Sequence, residues 1–94
     1  MPQQSNLDGK TIKLLQQSGV IKSITVVAEQ SIIYVRYQLK NGETGVAHTT
    51  LGNIKQWSTI DASVKWLQTL GIGNANLNFS MWKSKQKMLK LASN

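Results

Sequence analysis

The dipeptide Asn41-Gly42 lies between two runs of alternating apolar residues, and it constrains the fold of this chain more than any other feature. Asn and Gly tolerate the positive φ angles that a tight hairpin demands. The run before it, Ile32 to Lys40, puts Ile33, Val35, Tyr37 and Leu39 on one face and Ile32, Tyr34, Arg36 and Gln38 on the other. A two-residue type I′ loop at Asn41-Gly42 then sets Lys40 opposite Glu43, Tyr37 opposite Val46 and Val35 opposite His48. That register predicts a strand from Glu43 to about Thr50, with His48 on the face of Val35 and Val46. A preceding strand, Val20 to Ala28, is joined through a turn at Glu29-Gln30-Ser31.

Helical periodicity flanks this β region. Leu7 to Ser18 predicts a helix capped by Asn6 or Asp8 and stopped at Gly19, with Met1 to Asn6 a flexible N-terminus. Ser58-Thr59-Ile60-Asp61 predicts the start of a second helix, with Ser58 as cap. Ile60, Val64, Leu67 and Leu70 form its apolar stripe, and Gly71 ends it. Leu77, Phe79 and Met81 alternate with Asn76, Asn78 and Ser80, which predicts a last strand with one buried face. Ser84 to Leu91 can form a short basic helix. Ile54 to Trp57 resumes the third strand or forms a short fourth one. The expected fold is α+β: an antiparallel sheet of three to five strands with one main helix packed on a face, plus short N- and C-terminal helices. At 94 residues this is one domain, 1–94. So small a core leaves room for a second chain to help cover it, through a sheet face or edge.

The charge pattern points to a partner. Eleven Lys and Arg stand against four Asp and Glu, a net charge of +7. No acid follows Asp61, and the basic C-terminal segment 83–94 carries Lys83, Lys85, Lys87 and Lys90. Such a segment attracts polyanions, because neutralising phosphates releases their condensed counterions. Lysine acts there as a point charge, whereas the planar fork suited to reading bases belongs to arginine, here Arg36 alone. The expected contact is therefore with the DNA backbone. The same lysines also suit the C-terminal end of a helix or simple solvation. No apolar run approaches the ~20 residues needed to cross a bilayer. Met1 to Asp8 is polar and lacks a signal-peptide core, and the chain has no cysteine. The expected compartment is the cytoplasm.

No catalytic constellation emerges. His48 is the single histidine, and it has no carboxylate at a useful spacing. The glycines form no phosphate loop, and neither a metal nor a cofactor is implied. Tyr34, Arg36 and Gln38 share a sheet face expected to point away from the main helix, where they can stack bases, form a dimer surface or be covered by the first helix. Trp66 falls beside the helical stripe, and Trp82 ends the last strand next to the lysines. Tyr34, Trp66 and Trp82 are thus the candidate interface residues.

One family resemblance runs through these elements. Trp57-x-x-Ile60-Asp61-Ala62, Trp66-Leu67-x-x-Leu70-Gly71-Ile72 and Leu77-x-Phe79 resemble the small partition-associated proteins called ParC on plasmids and integrative elements, which are unrelated to the topoisomerase subunit of that name. Leu14-Leu15, Gly19-Val20-Ile21, Ile24-Thr25-Val26-Val27 and Val35-Arg36-Tyr37 are similar as well. The likeness spans about residues 12 to 82 and rests mostly on core and turn positions. Glu29-Gln30-Ser31 replaces the family's Gly-Gly-Trp, and the basic tail lies beyond the likeness. The resemblance implies a non-enzymatic accessory protein of mobile-element maintenance that binds DNA or partition proteins, and it supplies no catalytic residues. The alternative is a protein-interaction module whose positive charge is incidental.

Overall fold

The computed structural model describes residues 5–82. Five strands and two helices follow in order: β1 (Ser5–Asp8), α1 (Gly9–Gln17), β2 (Ile21–Gln30), β3 (Ile32–Leu39), β4 (Thr44–His48), α2 (Ile60–Thr69) and β5 (Asn76–Trp82). The strands form one sheet in the order β1-β4-β3-β2-β5. The α+β expectation holds, with one difference. The inner pairs β4–β3 and β3–β2 are antiparallel, whereas both edge pairs, β1–β4 and β2–β5, are parallel.

This topology dictates which face is covered. The chain crosses from β1 over two strands to β2 through α1, and from β4 over two strands to β5 through α2. Both crossovers join parallel strands and move in the same direction across the sheet. Crossovers of this kind share one hand, so two that run the same way place their helices on the same face. Ile12 of α1, Leu67 of α2 and Leu70, the C-cap of α2, accordingly enter one core with Ile24, Val26, Ala28, Ile33, Val35, Tyr37, Leu39 and Ala47. No described helix covers the other face.

The hairpin forms, but its loop is one residue longer than predicted. Leu39 N–H donates to the Glu43 carbonyl at 2.8 Å, and Gly42 N–H donates to the Leu39 carbonyl at 2.9 Å. Lys40, Asn41 and Gly42 therefore make the loop. Gly42 takes a φ of 97°, whereas Asn41 is not left-handed, which rules out the type I′ turn. The Asn41 side chain instead accepts the Glu43 N–H at 2.9 Å. Pairing thus becomes Arg36 with Val46, Tyr37 with Gly45 and Gln38 with Thr44. A one-residue slip exchanges the faces of a strand. Val46 and His48 consequently lie on the uncovered face, and Gly45 and Ala47 on the core face with Val35.

Three further expectations are corrected. Ser5 and Asn6, expected in a flexible tail, belong to β1, which pairs Ser5 with Gly45 and Asp8 with His48. The α2 cap is Thr59, whose hydroxyl accepts the Ala62 N–H at 3.1 Å, one residue beyond the predicted Ser58. Helix α2 is also rotated relative to the predicted stripe. Ser63 is fully buried and bonds back to the Ile60 carbonyl at 2.7 Å, while Val64 is 40 % exposed. A small residue at 63 lets the helix backbone approach the sheet more closely than a valine would.

The last strand departs most from its pattern. Leu77, Phe79 and Met81 are all exposed. β5 is an edge strand of the sheet, and α2 lies over β2 and β3. A bulge also breaks the alternation, since Asn78 aligns with Val27 while Met81 aligns with Glu29. Leu77 therefore faces the helix side and Met81 the uncovered side. The predicted basic helix at 84–91 lies outside the described residues. No helix among the described residues is long and apolar enough to cross a membrane.

Candidate binding surface

The uncovered sheet face is built from alternate residues of the three inner strands. Ser23, Thr25, Val27 and Glu29 come from β2, Tyr34, Arg36 and Gln38 from β3, and Thr44, Val46 and His48 from β4. Arg36 stands at its centre, exposed, with Thr25 and Val46 as its cross-strand neighbours. Ser23, Thr25, Gln38 and Thr44 surround it in a shallow depression of about 280 Å³. Val27 is only 2 % exposed although no described helix lies above it. Its neighbours in register are Tyr34 and Asn78.

Tyr34 is half-buried beside Val27. Burial raises its pKa first, and the nearby Glu29 carboxylate raises it further, both by charge and as a hydrogen-bond partner; the Arg36 guanidinium acts the other way. The phenol therefore stays a hydrogen-bond donor at neutral pH. Among the described residues of this face Arg36 and Glu29 carry opposite charges, so their sum is close to neutral. The positive charge lies elsewhere. Residues 5–82 hold seven bases and four acids, a net +3, and the other four bases are Lys83, Lys85, Lys87 and Lys90. Those four lysines lie outside the described residues.

The aromatic candidates separate. Trp66 is half-buried and meets Trp57 at 5.1 Å between ring centroids, tilted by 50°. The Lys55 ammonium lies 5.5 Å from the Trp57 ring and 5.6 Å from the Trp66 ring. A Cβ on Gly9 would come within 2.9 Å of Trp66 Cζ2, so the indole rests directly on the first turn of α1. Trp66 thus fastens α2 to α1, whereas Tyr34 lies on the open face. Trp82 is half-buried, packs on the edge of the core and aligns with Gln30. The roles of Gly9 and Lys55 carry no sequence signal, because the loop 49–56 that brings Lys55 to the tryptophans has no regular pattern.

His48 lies beside Asp8 in the β1–β4 ladder, above a small depression that also touches Gly9, Lys55 and Trp66. Its Nδ1 is 2.8 Å from the Val46 carbonyl, so in the neutral ring Nδ1 carries the proton. Asp8 is engaged elsewhere. Its carboxylate accepts the Thr11 N–H at 3.0 Å as the cap of α1, and that bond lowers its pKa. Among the described residues no cluster of three or more His, Cys, Asp or Glu side chains could hold a metal ion.

No family model, curated protein or solved structure matches this chain.

Proposed function

We propose that this chain is a non-enzymatic accessory protein of plasmid or mobile-element maintenance that binds DNA through its phosphates. The carrying observation is the uneven charge: four of the eleven bases crowd into the last twelve residues, with no acid after Asp61. Such a cluster has strong affinity for a polyanion and little ability to read sequence. Arg36 and Tyr34 on the uncovered face add a planar cation and an aromatic ring in one patch. The link to partition rests on the likeness to ParC proteins at the core and turn positions.

The test is binding to two unrelated duplexes over a salt series. The intact chain is compared with a variant carrying Lys83, Lys85, Lys87 and Lys90→Gln. The variant binds both duplexes more weakly by a similar factor. Its log–log salt slope is shallower by roughly 0.9 for each phosphate that it no longer neutralises. Equal affinities for the two proteins would exclude the tail as the DNA-binding segment. Absence of binding by the intact chain at low salt would exclude DNA altogether.

The second reading is a protein-interaction module, and the near-neutral character of the Tyr34–Arg36 face favours it. Tyrosine and arginine are enriched at the energetic centres of protein interfaces. Arg36→Ala then weakens capture of partition proteins with little dependence on salt, and leaves DNA affinity unchanged.

A further inference from the structure

The outer edge of the sheet carries apolar groups that nothing described covers. β5 has β2 on one side and no described strand on the other. Leu77 is 46 %, Phe79 60 % and Met81 55 % exposed. On the helix side Val64 of α2, 40 % exposed, extends this apolar surface along a depression that it lines with Ala75. Exposed edge strands ordinarily carry lysine or proline, which discourages another strand from pairing. Asn76 to Trp82 holds neither, and has no charged residue at all in a chain of net charge +7. A polyanion finds no cation on this strand, whereas a second copy of it can approach without like charges meeting.

We infer that two copies of the chain pair β5 to β5, antiparallel, about a two-fold axis through Asn78. A continuous sheet requires opposed residues to share a face, so the axis passes through a residue and not between two. Centred on Asn78, Leu77 of each copy opposes Phe79 of the other on the helix side, and Asn76 opposes Ser80. Apolar groups meet apolar groups, and polar groups meet polar ones. The bulge falls between Asn78 and Met81, but the Ser80 hydroxyl donates to Asn78 Oδ1 at 3.0 Å, so residues 78 and 80 keep a common face through the centre of the pair. The Ser80 N–H has a long 3.2 Å contact with Asn78 Oδ1 of its own strand, which a partner carbonyl replaces. Because the same edge is used by both copies, association closes at two chains and no fibre grows. The product is a single ten-stranded sheet with two Arg36 patches on one face. The inference stands whether the ligand of that face is DNA or protein.

The experiment uses the intact chain. Sedimentation velocity over a concentration series shows a doubled mass. Phe79→Lys sets like charges beside the partner strand and returns the mass to that of one chain, with unchanged circular dichroism. The chain has no cysteine, so one introduced thiol reports on the geometry independently. Asn78→Cys crosslinks to a covalent dimer under mild oxidation much faster than Gln17→Cys, which sits exposed on α1. A single-chain mass for the intact protein at every concentration overturns the inference. So does a dimer that survives Phe79→Lys and crosslinks no faster through Asn78→Cys than through the control. A monomer that Phe79→Lys strongly destabilises also overturns it, because Phe79 is then covered within a single chain.

Discussion

At Gly42 the backbone adopts a φ of 97°, a value that a β-branched residue resists. Gly42→Val is expected to destabilise the domain by about 1 kcal/mol or more, read as a lower denaturation midpoint at unchanged m-value. An unaltered midpoint would show that the loop has another geometry. Gly9 makes a sharper case, because propensity and packing predict opposite signs. It lies in the first turn of α1, where alanine is the better helix former by roughly 0.5–1 kcal/mol. A Cβ there would sit 2.9 Å from the Trp66 ring, closer than any real contact. Trp66 is held in turn by Trp57, so it cannot simply swing away. Gly9→Ala is therefore expected to lower the melting temperature, and a rise would mean that Trp66 yields at no cost. These two glycines also mark what a sequence can disclose. Asn41-Gly42 announces a hairpin through local chemistry, and a hairpin is present. Whether Asn41 joins the left-handed region is settled by small local preferences, and here its side chain bonds to the Glu43 N–H instead. That one difference puts Val46 and His48 on the opposite face. Gly9 gives no such signal, since what requires it is an indole fifty-seven positions away.

Helix α2 illustrates how an element can be located correctly and still be turned wrongly about its axis. Its span and its stop at Gly71 follow from local residues, and Leu67 and Leu70 are buried as expected. The inward stripe nevertheless passes through Ser63 and leaves Val64 half outside. Hydrophobicity favours valine over serine on the inner face, but Ser63 is fully inaccessible there and returns its hydroxyl to the Ile60 carbonyl, so a small side chain fits where a larger one must displace its neighbours. Paired substitutions test this rotation. Leu67→Ala is expected to cost about 2–5 kcal/mol, because a nearly inaccessible side chain leaves a cavity. Val64→Ala removes a partly solvated group and is expected to cost less than about 1 kcal/mol. Similar losses for both would place the helix at the predicted angle. β1 leaves no mark in the sequence for a different reason. Four residues paired in parallel at an edge carry neither alternation nor a turn signal, and their strand conformation depends on β4, some forty positions downstream.

For the molecule as a whole, the direction of the crossovers matters more than any single interaction. Both helices lie on one face because β1 to β2 and β4 to β5 run the same way across the sheet. The pattern of Tyr34, Arg36 and Gln38 pointed to an exposed face, and that part of the site was legible. That α1 would join α2 on the opposite face was not, because the parallel edge pairs leave no local trace. The same topology ranks the strands by stability. β3 is central, is bonded on both sides, and is buried on its core face by Ile33, Val35, Tyr37 and Leu39. Among the described residues β5 is bonded on one side only, and it is interrupted by a bulge and exposes Leu77, Phe79 and Met81. Amide exchange in native conditions reports such differences strand by strand. In dilute solution the amides of Val35 and Tyr37 are expected to exchange only through global unfolding, while those of Leu77 and Phe79 exchange through local opening at much lower free energy. Pairing of two β5 strands changes one term of this ranking and no other. As concentration rises, protection should grow at Asn76 to Ser80 and stay fixed at β3 until the global limit itself shifts with dimer formation. Protection of β5 that equals β3 at every concentration would contradict this ranking, and would mean that the edge is already covered within a single chain.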